Sequence, residues 1–347
     1  MKKTPFIILG IFIFFSCENI GVDHYLEGKK QFDNGEFDNA IKLFTREINV
    51  NGGTDLAYYY RGRSSQKKRE FQNAIEDYIK AIEMNNELSE AHVNRAVSHI
   101  RLKEYDIALK GLDKMLSHFK IGQDSITTKN IVIALNNRGL LKQHHLKDSV
   151  AALADYNKSV RIGKDFPNYL PYRNRGKLYF RQKNYEKALK DFNSAILLNN
   201  NDSEIYYGRG QAKYHLGDIQ NALLDTNVAI ELDKTNWSYY NQRGIILNDM
   251  EKHEEAISDF TKAIEISDHA YAYNNRGFSY YKLGNLKQAL VDCEKSLELN
   301  DENGLAYYYL GLIAYKLGKS ERACVHFTKA LNLGEVKAEM ALRVKCR

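Results

Sequence analysis

Proline is nearly missing from this chain, with three in 347 residues, and tryptophan occurs once. So few helix breakers leave most of the length free to be helical. Cysteine is scarce as well: there are four, with no CxxC spacing, so neither a disulfide framework nor a zinc site is expected. The formal charge of +6 is spread thinly, and no dense Lys/Arg run marks a nucleic-acid footprint. Catalytic signatures are lacking too, with no GxSxG, HExxH, GxxxxGK or Gly-rich dinucleotide loop. His144-His145 falls in a turn where adjacent side chains splay apart. No enzyme activity, cofactor or metal is therefore expected.

What remains is 44 % apolar residues and 24 tyrosines, too much apolar surface for a disordered polymer. The first residues differ from the rest. Lys2 and Lys3 precede an apolar run from Phe6 to Phe15, broken only by Gly10 and followed by Ser16-Cys17. That run is shorter than the roughly 20 residues a membrane-spanning helix needs. It reads as a targeting segment. Ser16-Cys17 resembles the end of a bacterial lipoprotein signal, although Phe14 and Phe15 replace its usual leucine and small residue. The resemblance implies residues 1–16 as signal peptide, acylation (palmitate included) at Cys17, and a short tether over 17–22. It also implies a lipid-anchored place in a bacterial cell envelope, at the outer membrane or the periplasmic face. More than one acyl chain would hold such a terminus firmly.

From there on, the chain repeats itself. Small residues recur at Gly28, Gly62, Ala96, Gly139, Gly176, Gly210, Gly244, Gly277 and Gly311, mostly 34 residues apart. Twelve positions later another small residue follows, as at Ala40, Ala74, Ala188 and Ala256. Four after that stands a large one, as at Phe44, Tyr78, Phe192 and Phe260. This pattern resembles the tetratricopeptide repeat, a helix-turn-helix unit of 34 residues. Proline, usual at the end of that unit, is replaced by Asn86, Asn200, Asp268 and Asp301, which suit turns and caps.

The resemblance implies an all-α, right-handed superhelical solenoid over 23–334, closed by a capping helix over 335–347. Repeats fall near 21–54, 55–88, 89–122, 132–166, 169–202, 203–236, 237–269, 270–303 and 304–334. Val336, Met340, Ala341 and Val344 lie at helical spacing and are assigned to the capping contact. The insertion at 117–131 reads as a surface loop.

With the recurring glycine numbered 8, position 7 is arginine in repeats two to eight: Arg61, Arg95, Arg138, Arg175, Arg209, Arg243 and Arg276. Six of these seven repeats carry an aspartate sixteen residues on: Asp77, Asp155 (after one inserted residue), Asp191, Asp225, Asp259 and Asp292. The third repeat has Gly111 instead. This joint occurrence predicts an Arg–Asp pair inside each repeat, facing away from the concave surface.

Positions that the family exposes in its groove hold aromatic, amide and basic side chains. Candidate peptide-binding residues are Arg173, Lys177, Arg181, Tyr207, Tyr214, Asn241, Asn274, Tyr281, Lys282 and Tyr308. Amides can hold a peptide backbone, rings bury its side chains, and cations favour its acids. The expected function is a non-catalytic, membrane-anchored scaffold that binds extended or acidic segments of partner proteins, in envelope assembly or secretion. A carbohydrate- or peptidoglycan-binding lipoprotein is the alternative.

Overall fold

Residues 23–346 are described by the structure, a computed structural model. The signal segment and Cys17 lie outside the described residues. Every regular element among them is an α-helix, and none is long and apolar enough to cross a membrane. The chain divides between Ala134 and Leu135 into two compact units.

The N-terminal unit holds the helix pairs α1 (His24–Asp33) with α2 (Phe37–Asn51), α3 (Asp55–Lys67) with α4 (Phe71–Met84), and α5 (Ser89–Arg101) with α6 (Tyr105–His118). Helix α7 (Ser125–His144) carries the division. The C-terminal unit continues with α8 (Ser149–Ile162), then α9 (Tyr169–Arg181) with α10 (Tyr185–Leu198) and α11 (Ser203–His215) with α12 (Ile219–Leu232). Next come α13 (Trp237–Asp249) with α14 (His253–Ile266), α15 (Ala270–Lys282) with α16 (Leu286–Leu299), α17 (Gly304–Lys316) with α18 (Ser320–Asn332), and α19 (Lys337–Lys345). Each unit is thus a stack of helix-turn-helix repeats, a solenoid in which no pair buries its apolar face alone.

The repeated small and large residues explain the packing. Ala40, Ala74, Ala188 and Ala256 are fully buried, as are Phe44, Tyr78, Phe192 and Phe260. The aromatic of the second helix lies directly over the recurring glycine of the first. A Cβ on Gly244 would come within 2.6 Å of the Phe260 ring, and one on Gly311 within 2.5 Å of Phe327. Such distances leave no room for a side chain, so the helices approach closely only because glycine is there.

Repeat ends are closed one residue earlier than the sequence reading placed them. The C-cap side chains of Asn85, Asn199 and Asn300 accept backbone N–H bonds from Glu87, Asn201 and Glu302 at 3.0–3.2 Å. These Asx turns, not Asn86 or Asn200, do the work proline does elsewhere.

Each arginine and its aspartate stand together. The separations are 2.7 Å for Arg61–Asp77, 2.6 Å for Arg138–Asp155 and 2.7 Å for Arg175–Asp191. They are 2.6 Å for Arg209–Asp225, 2.7 Å for Arg243–Asp259 and 2.8 Å for Arg276–Asp292. The guanidinium donates through Nε and Nη2 to the two carboxylate oxygens, a two-pronged geometry. Burial pushes the Asp77 and Asp191 carboxyls above the ordinary range, against the pull of Arg61 and Arg175.

The third guanidinium nitrogen was not foreseen. Nη1 reaches back to the preceding repeat: Arg61 to Thr45 (3.3 Å), Arg175 to Asn157 (2.8 Å), Arg209 to Asn193 (3.0 Å), Arg243 to Asn227 (2.9 Å) and Arg276 to Thr261 (3.0 Å). A tyrosine three residues earlier lies against the same group, as Tyr206 does at 5.5 Å from Arg209. One side chain therefore joins the two helices of its repeat and ties that repeat to the one before.

Three expectations need correction. Residues 117–131 are not a plain loop. Asp124 accepts the Thr127 N–H at 2.8 Å and starts α7 inside the insertion, where Thr127, Asn130 and Ile131 are buried. Asn130 donates to Ser89 at 2.9 Å, so this stretch packs on α5. Second, α19 caps α18 through Ala338 and Ala341, whereas Val336, Met340 and Val344 face outward, each about two-thirds exposed or more. Third, Cys324 and Cys346 form a disulfide that ties α18 to the residue after α19. Only proximity in the fold reveals that pairing, since the 22-residue spacing carries no motif.

Candidate functional site

In the C-terminal unit α9, α11 and the start of α13 enclose a cavity of about 350 Å³. Lys177, Phe180 and Arg181 line it from α9, Tyr207, Gly208 and Gln211 from α11, and Ser238 and Tyr239 from α13.

At the position of Gly208 other repeats carry Asn94, Asn137, Asn174 or Asn275. A Cβ on Gly208 would stand 2.5 Å from the Phe192 ring. Glycine there lets α11 close directly over the fully buried Phe192 ring, while Phe180 and Tyr207 are the partly exposed apolar walls of the cavity. Gln211 donates to the Tyr207 hydroxyl at 3.0 Å, fixing the ring on the wall. Burial raises the Tyr207 pKa above the ordinary phenol range, so it stays a neutral hydroxyl.

The rim is cationic. Lys177 pairs with Glu204 at 2.8 Å, and Arg173 with Asp202 at 2.6 Å and Glu204 at 3.2 Å. Arg181 is exposed and forms no ion pair with a carboxylate among the described residues. The local field shows in a neighbour: partial burial, then the charges of Arg181, Lys147 and Lys177, hold His144 below the usual histidine range. Apolar walls from Phe180 and Tyr207, an amide and one uncommitted guanidinium fit an apolar side chain with an acid beside it.

The structure thus brings Lys177, Arg181 and Tyr207 around one cavity, with Arg173 linked to Lys177 through Glu204. It does not gather the other candidates there. Tyr214 donates to Asp249 at 2.5 Å. Asn241 accepts from Asn275 at 3.0 Å. Lys316 lies 5.1 Å from the Tyr281 ring, Lys282 lies 5.7 Å from Phe278, and Tyr308 packs on Tyr309. Asn274 is fully buried and cannot meet a partner chain, which removes it from the groove. Sequence reasoning missed Gly208, Gln211 and Ser238; the break in the run of asparagines at Gly208 was the available signal. Among the described residues, no group of three or more His, Cys, Asp or Glu side chains could hold a metal.

Comparison with known proteins agrees with this architecture. Tetratricopeptide-repeat models match residues 56–88, 238–269, 270–303 and 305–333, and a TPR-repeat model matches 176–217. A tetratricopeptide repeat protein from Parabacteroides merdae is 22 % identical with a TM-score of 0.55, over 75 % of this chain and 99 % of that one. A chain of the APC/C hetero-tetramer Cut9-Hcn1 is 14 % identical with a TM-score of 0.56, over 93 % of this chain and 76 % of that one. At such identities the likeness concerns the fold alone. No curated protein matches the sequence.

Proposed function

We propose that this tetratricopeptide-repeat chain is a non-catalytic scaffold, anchored to a bacterial envelope membrane through Cys17, that holds an extended segment of a partner protein. The cavity between α9 and α13 carries the reading. It offers the apolar walls of Phe180 and Tyr207 for one side chain and Arg181 for an adjacent acid. Stacked repeats form rigid, extended binding surfaces, so binding here requires little ordering of the scaffold. The Cys324–Cys346 disulfide supports the envelope assignment, because such bonds persist in oxidising compartments and are rare in the cytosol.

Isolation of the full chain from its own membranes tests this. One protein should co-purify in stoichiometric amount and be released by Arg181→Glu and by Tyr207→Ala. Cys17→Ser should move the chain out of the membrane fraction. Retention on insoluble cell-wall glycan without any protein partner would overturn the scaffold reading.

A further inference from the structure

A second cavity, of about 460 Å³, lies in the N-terminal unit, at the C-terminal ends of α3 and α5. Gln66, Lys67, Arg69, Phe71, Val97 and Arg101 line it. Lys67, Arg69 and Arg101 are exposed, and none forms an ion pair with a carboxylate among the described residues. Two acids on the same turns are engaged elsewhere: Glu70 by Lys68 at 2.8 Å and Glu104 by His99 at 2.6 Å. Three cations therefore face one space, and among the described residues no carboxylate pairs directly with any of them.

Arg69 is there against its backbone preference. The turn between the two helices of a repeat passes through one left-handed residue, and glycine fills it at Gly35, Gly217, Gly284 and Gly318. Glycine takes that conformation without strain, whereas a residue with a Cβ does not. Arg69 holds φ 65° there, as Lys103, Lys147, Lys183 and Glu251 do in other repeats at 63°, 58°, 58° and 62°, and in this repeat the turn carries the cation to the edge of the cavity.

We infer that this pocket is an anion site for a phosphate monoester whose organic part rests on Phe71 and Val97. Three cations match a group that carries close to two negative charges, and the planar forks of Arg69 and Arg101 suit phosphate oxygens. The volume exceeds that of a bare ion and falls within the usual range for small-molecule sites. Gln66 donates to the Asn94 carbonyl at 3.0 Å and to Ser98 at 2.9 Å, which fixes α3 against α5 and keeps the floor in place. This site is separate from the peptide cavity and does not rest on that reading. The same chemistry could come from a soluble phosphate ester or from a lipid headgroup.

The experiment uses the full chain with two probes: glycerol 3-phosphate by calorimetry, and phosphatidylcholine vesicles with or without phosphatidic acid by co-sedimentation. The difference between the vesicle compositions is read, so the apolar N-terminal segment contributes equally to both. Lys67→Glu and Arg101→Glu should each weaken binding at least tenfold. Arg69→Gly should weaken it severalfold while raising the melting temperature, a combination that a purely structural turn residue does not give. Binding of glycerol 3-phosphate upholds the site with a soluble source. Binding only to phosphatidic acid vesicles, lost in the same variants, upholds it with a lipid source. No binding of either probe, binding that the three substitutions leave unmoved, or binding of a polyglutamate peptide in place of both would overturn the inference.

Discussion

Arg175 binds Asp191 with two of its nitrogens, at 2.8 and 2.7 Å, and Asn157 of the preceding repeat with the third, at 2.8 Å. The side chains of Arg175 and Asp191 are only 16 % and 4 % exposed, so neither charge is tolerated alone. Asp191→Ala is expected to destabilise the fold by about 3 kcal/mol, and Arg175→Met with Asp191→Leu by less than Asp191→Ala alone. Urea denaturation of these variants, with Arg175→Met and Asp191→Leu also made singly to close the cycle, measures this. A coupling energy near zero would show that the pair is bystander geometry.

The third repeat provides the reverse experiment. Arg95 has no aspartate opposite it, and a Cβ on Gly111 would meet only the Arg95 guanidinium, at 4.0 Å. Burial holds the Arg95 pKa below the ordinary arginine range, as befits a cation with no compensating charge. Its partner toward the preceding repeat is missing too, since Ile79 stands where Asn193 and Asn227 serve other arginines. Gly111→Asp should therefore stabilise the protein by about 1 kcal/mol, read as a higher melting temperature. In an Arg95→Leu background the gain should shrink to the few tenths that helix propensity alone gives.

His92 makes the same repeat sensitive to acid. The ring is buried, meets the Asn86 carbonyl at 3.0 Å, and packs edge-on against Phe119. Burial lowers its pKa from the usual histidine value, so the unfolded chain binds a proton more readily than the folded one. The stability it contributes is complete above about pH 6.5 and is lost as pH falls through the lower folded-state value. Melting curves between pH 7 and pH 5 should drop more steeply for the natural protein than for His92→Gln.

Reduction should act at the other end of the chain. Opening Cys324–Cys346 releases a loop that spans 22 residues, worth up to about 3 kcal/mol to the last repeat. Hydrogen exchange should then speed up in α19 and α18 while α9 to α14 stay protected, because each repeat in such a stack leans only on its neighbours. Uniform loss of protection would contradict that picture.

The sequence made some of this legible and hid the rest for physical reasons. Gly244 and Phe260, or Arg175 and Asp191, recur at fixed spacing because every repeat solves the same packing problem. A period therefore exposes them. The link from Arg175 to Asn157 recurs too, but it crosses between repeats and its acceptor alternates between Asn and Thr, so no fixed residue type marks it. Cys346 and Thr127 recur nowhere, so no period could assign them roles, and Gly208 shows only as a break in one. Val336 and Met340 misled because helical spacing shows that two residues share a face, not which way that face turns. The groove stripe suffered the same ambiguity: Asn274 and Tyr207 hold the same repeat position, but the first is sealed and the second lines a cavity.

The central claim is that the cavity under Gly208 holds a segment of another protein. A photoreactive residue placed at Gln211 inside it, and another at Leu224 on the exposed face of α12, tests this in living cells. One discrete protein adduct from Gln211, absent from Leu224 and abolished by Arg181→Glu, is the predicted result. Adducts identical from both positions, or none from Gln211, would contradict it.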